Sequence, residues 1–454
     1  MLSAQQRVLV VAILASFVAF LDGSVINVAL PAISRELGGG LALQQWVVDA
    51  YLVTLGALIL VAGSLSDVFG RQRILRVGLI GFGIASLLCA VAPTGVILVA
   101  ARALQGIAGA LLVPSSLALI ISAFSGAAQS KAIGQWTAWT GVAFIAGPLL
   151  GGIFVDMLSW RYVFGINVIP IAVTLWLMRK LELADTRHGG RVDYLGAVLG
   201  AVGLGGAVFA LIEQGQYGWG SPLVLIPLVL GLVALVAFFL VETKIAEPML
   251  PMSIFRVHNF WVGNIATAAI YGALAFGPLI VTLYLQQVAG FGATQAGLAL
   301  IPPTVIMLLL SSYFGGLAGR YGPRLFMTVG PLLAAAGFLL MLTMGREVNY
   351  WTQLLPGVVL FGLGLAVTVA PLTSAILGSI DAAQAGIGSA VNNAVSRIAG
   401  LITVACAGVI VGSQLNQAGL GRALVATAIL MAAGGLISAV GIRNPVREVA
   451  VEAA

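Results

Sequence analysis

The chain has 454 residues, of which 60% are hydrophobic and only 8% charged, with a mean hydropathy of +1.10. Soluble domains carry about 25% charged residues, so this composition excludes a soluble globular protein and describes an integral membrane one. The net charge of +6 and pI near 9.6 do not indicate nucleic acid, because so few charges cannot build a phosphate-binding surface.

Other chemistries are excluded as directly. The two cysteines, Cys89 and Cys406, fall in apolar runs, and the two histidines, His188 and His258, lie far apart in loops, so no disulfide framework, metal site or cofactor is expected. No phosphate-binding loop of the form G-x-x-x-x-G-K-[ST] occurs, which argues against a nucleotide partner. No nucleophile–base set appears in the apolar segments, so the chain does not read as an enzyme.

A span needs about 20 apolar residues. In chain order, the pattern predicts helices at 8–30, 45–66, 75–92, 95–122, 134–155, 162–180, 192–213, 222–241, 260–288, 294–314, 325–344, 351–377, 386–411 and 421–442, fourteen in all. The first run is long and is followed by no small-residue cleavage site, so it reads as a membrane helix rather than a signal peptide. Charge tests the count. Of the 21 basic residues, fifteen fall in loops on the side of the N-terminus and four (Arg35, Arg161, Arg346, Arg422) on the other, with Arg102 and Arg397 inside helices. By the positive-inside rule this predicts an even number of spans with both termini cytoplasmic. The expected location is a bacterial inner membrane, crossed many times.

The sequence also repeats itself. "GSLSDVFGRQRILRVG" (63–78) and "GGLAGRYGPRLFMTVG" (315–330) align without gaps at an offset of 252. Each follows the second helix of a six-helix half. The expected organisation is a first bundle over 1–181, two inserted helices with their linkers over 182–255, and a second bundle over 256–454. Duplicated halves around a midplane site are a transporter architecture.

Four stretches carry a resemblance. "LDGSVINVALP" (21–31), "GSLSDVFGRQR" (63–73), "RALQGIAGA" (102–110) and "GVAFIAGPLLGG" (141–152) resemble, in order, the first-helix, loop, fourth-helix and fifth-helix motifs of the major facilitator superfamily, in its fourteen-helix drug:proton antiporter branch. The resemblance is dense over the first six helices and looser beyond. It implies an all-α membrane fold of two pseudo-symmetric bundles arranged 6+2+6. It further implies a cytoplasmic latch in which Asp67 bonds Arg71 and faces a helix of the other half starting near Gly386, with Gly63 and Gly70 allowing close packing and a tight turn. Gln72 stands where a second basic residue is usual, and Gly319 where the second copy would repeat Asp67, so the latch is expected on one side only. Gly141, Gly147, Pro148, Gly151 and Gly152 resemble the motif that marks exporters rather than importers.

Charges inside the spans are few. Of fifteen acidic residues only Asp22 and Asp49 lie well within predicted helices. At ~1.5 Å per residue, Asp22 is ~12 Å, Asp49 ~6 Å and Arg102 ~10 Å from the outer ends of their helices. The resemblance implies that the first and fourth helices line the central, wet cavity, so Asp22 and Arg102 are expected to face each other there, where pairing offsets much of the cost of burial. Burial favours the neutral carboxyl and a nearby arginine the charged one, so separating the two would load a proton on Asp22, with Asp49 the alternative carrier. A cationic substrate competing with that proton would couple opposite fluxes. The second half has no acidic residue within a predicted span. Polar and aromatic candidates for the substrate cavity are Asn27, Gln105, Asn264, Tyr271, Tyr284, Asn392, Asn393 and Arg397; for Arg397 either backbone carbonyls or an acidic group of the substrate could be the partner. Some fourteen-helix pumps have an acidic residue in the tenth helix associated with divalent cations; none stands there here, which points to neutral or monovalent amphipathic substrates.

The expected function is proton-coupled efflux of amphipathic drugs or antibiotics by rocking of the two bundles, in a monomer whose only other partners are protons and membrane lipids. The alternatives are an exporter of one metabolite within the same superfamily and, less favoured, a non-transporting receptor or scaffold.

Overall fold

The computed structural model describes residues 4–124, 126–179, 181, 193–245, 252–380, 385–412 and 414–444. Within them Gly63, Asp67, Gly141 and Gly386 are placed in helices, but their surroundings lie outside the described residues. Helices follow one another with short connections: α1 (Ala4–Leu37), α2 (Gly40–Phe69), α3 (Arg71–Ala90), α4 (Gly95–Ala123), α5 (Gly126–Met157), α6 (Tyr162–Gly165), α7 (Val168–Met178), α8 (Tyr194–Tyr217), α9 (Pro222–Glu242), α10 (His258–Gln287), α11 (Ala293–Ala299), α12 (Ile301–Tyr321), α13 (Pro323–Leu340), α14 (Leu355–Leu377), α15 (Ala385–Ala405), α16 (Ala407–Val411) and α17 (Gln417–Gly441). An apolar solvent leaves backbone groups no partner but each other, which is why the chain is helical wherever it is apolar.

Eleven helices are long and apolar enough to cross a membrane among the described residues. The other three expected spans fall on α5, on α6 and α7 together, and on α15, which are helical but outside that set of eleven. Inside α5, Pro148 interrupts the ladder, as do Pro114 in α4 and Pro278 in α10.

The sequence repeat has a structural counterpart. Gly70, with φ of 100°, ends α2 and starts α3; Gly322, with φ of 87° and 252 residues later, ends α12 and starts α13. A left-handed backbone at each corner is what glycine permits. Neighbours repeat as well. The packed pairs α1–α5, α2–α4, α3–α4 and α3–α7 of the first half recur as α10–α15, α12–α14, α13–α14 and α13–α17 in the second. The halves meet along two seams, α2 with α15 and α5 with α11 and α12. The inserted α8 packs on α9 and also lies against α2, α15 and α16, burying Leu204, Val208 and Ile212 with Val53, Ala57, Leu401 and Ala405. Trp46 Nε1 donates to Glu213 Oε1 at 2.7 Å, tying α2 to α8.

Close helix contacts rest on small residues, as is usual between membrane helices. A Cβ on Gly364 would lie 2.6 Å from the Gly330 carbonyl oxygen on α13, whereas one on Gly200 in α8 meets nothing within 4 Å. Gly364→Val should therefore lower the melting temperature of the purified protein, with a destabilisation of about 1–3 kcal/mol. Gly200→Val should leave the melt unchanged.

Candidate functional site

The first half holds an enclosed polar cluster in an otherwise apolar bundle. Asp22 on α1 is 0% exposed and Arg102 on α4 is 1% exposed. Arg102 Nη1 donates to Asp22 Oδ2 at 2.6 Å and to Gln105 Oε1 at 2.7 Å, and Arg102 Nε donates to the Val47 carbonyl at 2.9 Å. The other carboxylate oxygen, Asp22 Oδ1, accepts from Gln105 Nε2 at 2.8 Å and from Asn167 Nδ2 at 2.9 Å. Ser86 on α3 accepts from Gln105 and Asn167, and Tyr51 lies under the guanidinium with its ring centre 4.5 Å away.

Four elements therefore converge on one carboxylate: α1, α3, α4 and the start of α7. Each contributes polar side chains at positions surrounded by apolar ones. Charge balances within the cluster, and Asp22 accepts three hydrogen bonds, the kind of full satisfaction a buried charge requires.

This placement corrects one expectation. Asp22 does not open on a wet cavity between the halves; it is shut inside the first bundle, because Ser86 and Asn167 close round it from the outer helices. Gln105 is likewise enclosed there at 0% exposure rather than lining a substrate cavity. Tyr284 is buried at the far end of α10, where its hydroxyl donates to the Gly345 carbonyl at 2.9 Å, so it does not line the centre. Asn264 is buried and donates to Phe260; Asn392 donates to Asn264 and to Thr267, so both serve the α10–α15 contact. Asn27 and Tyr271 are half-buried, and Asn393 is exposed, donating to Ser389 on its own helix.

Asp49, on α2, is 0% exposed, and among the described residues neither carboxylate oxygen has a hydrogen-bond partner. It lies one turn from Gln45, whose side chain donates to the Val404 and Ala405 carbonyls of α15, so Asp49 is on the face of α2 turned to the other half. Arg397, on α15, is half-buried, with its Nε unpartnered and its guanidinium 6.0 Å from the centre of the Phe20 ring. The backbone of the helix start near Gly386 is described, but its side chains and that of Asp67, which is expected to face it, are not. Arg71 Nη1 donates to the Ala118 carbonyl at 3.1 Å.

Hydrogen bonds joining the halves gather at the end away from the termini. Asp156, at the end of α5, accepts from the Ala293 and Thr294 amides at 3.0 and 2.8 Å, capping α11 of the other half. Gln286 of α10 donates to the Val28 carbonyl of α1 at 3.1 Å. The fifth-helix glycines explain the fit. A Cβ on Gly151 would lie 2.7 Å from Val25 and Val28 of α1, one on Gly147 would collide with Ser24, and one on Gly152 would strike the Thr294 backbone. In return, Gly297 of α11 makes room for the Pro148 carbonyl. Above this contact a cavity of about 750 Å³, lined by Arg35, Gln44, Asp156, Gln286, Gln287 and their neighbours, opens at the far end.

Sequence reasoning missed Ser86, Asn167 and Asp156. The first two carried a signal, being polar residues within apolar runs. Asp156 stands one residue past the predicted fifth helix with nothing in the sequence to mark it, and the packing of α5 on α11 gives it its partners.

The cluster makes a stability prediction. Arg102→Gln leaves an unpaired buried carboxylate and should cost about 3–5 kcal/mol in a thermal or denaturant melt. Combining it with Asp22→Asn should recover much of that loss. A double variant no more stable than the single one would show that the pair is not coupled.

Comparisons with known proteins agree with this architecture. Residues 12–404 match the Major Facilitator Superfamily. The puromycin resistance protein of Streptomyces alboniger is 36% identical over 87% of this chain and 80% of its own length. The methylenomycin A resistance protein of Bacillus subtilis is 32% identical over 89% and 87%, and the tetracenomycin C resistance and export protein of Streptomyces glaucescens 32% over 87% and 74%. A crystal structure of the peptide transporter POT with sulfate superposes with a TM-score of 0.70 at 16% identity, covering 96% of this chain and 93% of that one, a likeness of fold alone. From a match spanning both halves, the duplicated helix packing and relatives of this coverage, the chain belongs to the Major Facilitator Superfamily.

Proposed function

We propose that the chain is a proton-coupled exporter of amphipathic compounds, drugs or antibiotics, in a bacterial inner membrane. The observation that carries the export reading is the near full-length likeness to resistance and export proteins. Coupling rests on the enclosed Asp22–Arg102 cluster.

Because Asp22 is sealed from the centre, a substrate does not compete with a proton at the same atoms. A proton on Asp22 removes the anion that Arg102, Gln105 and Asn167 all bond. Loss of that anion loosens the grip of α4 and the start of α7 on α1, so protonation changes the shape of the first bundle instead of filling a shared pocket. Asp49, on the seam between halves, is the second carrier. The bundles over 1–181 and 256–454 rock about the seams, while 182–255 forms the insertion. The end bearing the termini faces the cytoplasm, as the charge bias demands, and the contacts around Asp156 and Gly152 then shut the outer side. In the opposite state they part, and the one-sided latch of Gly63, Asp67, Gly70 and Arg71 holds the cytoplasmic side. The protein works as a monomer.

Transport in liposomes under an imposed proton gradient tests both parts. Wild type should move ethidium against its own gradient, and Asp22→Asn should lower the rate at least about tenfold, the loss expected for a coupling group. Wild-type movement in the variant would transfer the coupling role to Asp49; no gradient-driven movement of any tested compound by wild type would end the exporter reading. For orientation, a single cysteine at Gly220, exposed between α8 and α9, should react with an impermeant maleimide on intact cells, and one at Thr243 only after lysis. The reverse pattern would overturn the topology.

A further inference from the structure

The two arginines inside predicted spans are built differently. Arg102 is enclosed, donates from Nε to a carbonyl and pairs with a carboxylate. Arg397 has neither kind of partner: among the described residues no carboxylate and no carbonyl accepts from it, its Nε is buried without a hydrogen bond, and its one ring contact is with Phe20 at 6.0 Å. It sits near the middle of α15, twelve residues from the start of that helix. A cation left unpaired at membrane depth is costly, and such residues mark ligand pathways.

Its direction is fixed by its neighbours. On α15, Asn392 is taken up by α10, while Ala394 and Ile398 pack towards α2 and α8. Asn393, one turn before Arg397 on the same face, is exposed. On the facing side α1 presents Phe20, the exposed Gly23, which has nothing within 4 Å of where a Cβ would stand, and the half-buried Asn27. Arg397 therefore points into the space between the halves. Of the two carboxylates that could have neutralised that space, Asp22 is sealed inside the first bundle, and Asp49, on the face of α2 turned to α15, makes no ion pair with Arg397 among the described residues.

We infer that Arg397 is the anion-recognition point of the substrate site, and that the preferred substrates are amphipathic molecules carrying a carboxylate or similar oxyanion. The inference rests on the exporter reading and narrows its substrate class. A guanidinium offers a planar fork that matches a carboxylate with two parallel hydrogen bonds. Phe20 supplies an apolar surface beside it for the rest of the molecule, and Asn27 and Asn393 supply neutral hydrogen-bonding groups. A permanently cationic compound such as ethidium would meet an uncompensated positive charge at this point, so it is expected to move, but less well than a carboxylate-bearing one.

Two dyes that differ only in whether one carboxyl is free or methylated test it. Rhodamine 110 has a free carboxyl, and rhodamine 123 is its methyl ester. By fluorescence polarisation with the purified full-length protein, wild type should bind rhodamine 110 at least about tenfold more tightly. Arg397→Gln should abolish the difference, and Arg397→Lys should keep part of it, with each variant first shown to elute as a folded species in size-exclusion chromatography. Equal affinity for the two dyes in wild type, binding of neither, or a preference that survives Arg397→Gln overturns the inference. Displacement of rhodamine 110 by phosphatidylglycerol but not by benzoate assigns the site to a lipid headgroup and overturns it too. The exporter reading fails separately, if wild type discriminates in binding yet moves neither dye nor ethidium under a proton gradient.

Discussion

A carboxylate and a guanidinium shut away together in hydrocarbon set the terms for the first half of this protein. Alone, Asp22 would take up a proton and Arg102 would stay a costly buried cation, since the transfer of one such group from water costs several kcal/mol after relaxation. Together they demand a shell, and the shell dictates which helices must touch. Gln105 lies one turn along α4 from Arg102, Ser86 comes from α3, and Asn167 comes from the break between α6 and α7. Side chains that would otherwise be awkward in an apolar bundle thereby become its most specific contacts. The second bundle has no comparable cluster among its described residues. There α13 and α14 approach through Gly330, Gly337, Gly357 and Gly364, and specificity comes from shape.

Between the halves the balance is different again. The far-end contacts are a few hydrogen bonds to backbone amides and carbonyls, set among glycines that allow two helices to lie almost backbone to backbone. Such contacts are specific in register yet small in number, which suits surfaces that must part and meet again. Asp156 is informative here, because its acceptors engage amides of α11 that begin a helix and would otherwise point at water.

Much of this fold could be read from the residues. Hydrophobic length placed the helices, and the 252-residue repeat anticipated the matching glycine corners at Gly70 and Gly322, because a sharp corner between helices needs a backbone conformation only glycine adopts readily. Asp22 and Arg102 stood out for an equally simple reason, being charges in apolar runs. What the sequence could not reveal was direction. A rotation of a fraction of a turn decides whether Asp22 meets a cavity or the inside of a bundle, and the helix periodicity is nearly silent where every face is apolar. The same blindness put Gln105 and Tyr284 among the cavity residues, when one belongs to the ion-pair shell and the other to a loop contact. Arg397 is the converse: its position was plain, but its lack of a partner is a property of space, not of spacing.

The inserted pair α8 and α9 lies on one seam and not on its symmetry mate. Leu204, Val208 and Ile212 are pressed against both α2 and α15, so the join between bundles on that side is backed by a further layer of helix. A molecule dissolved in the bilayer and travelling sideways towards the centre would have to dislodge α8 to pass there. The seam of α5 with α11 and α12 has no such backing from the insertion. Among the described residues the doubled architecture is therefore two-sided in its internal symmetry but one-sided in where the insertion covers a join between bundles.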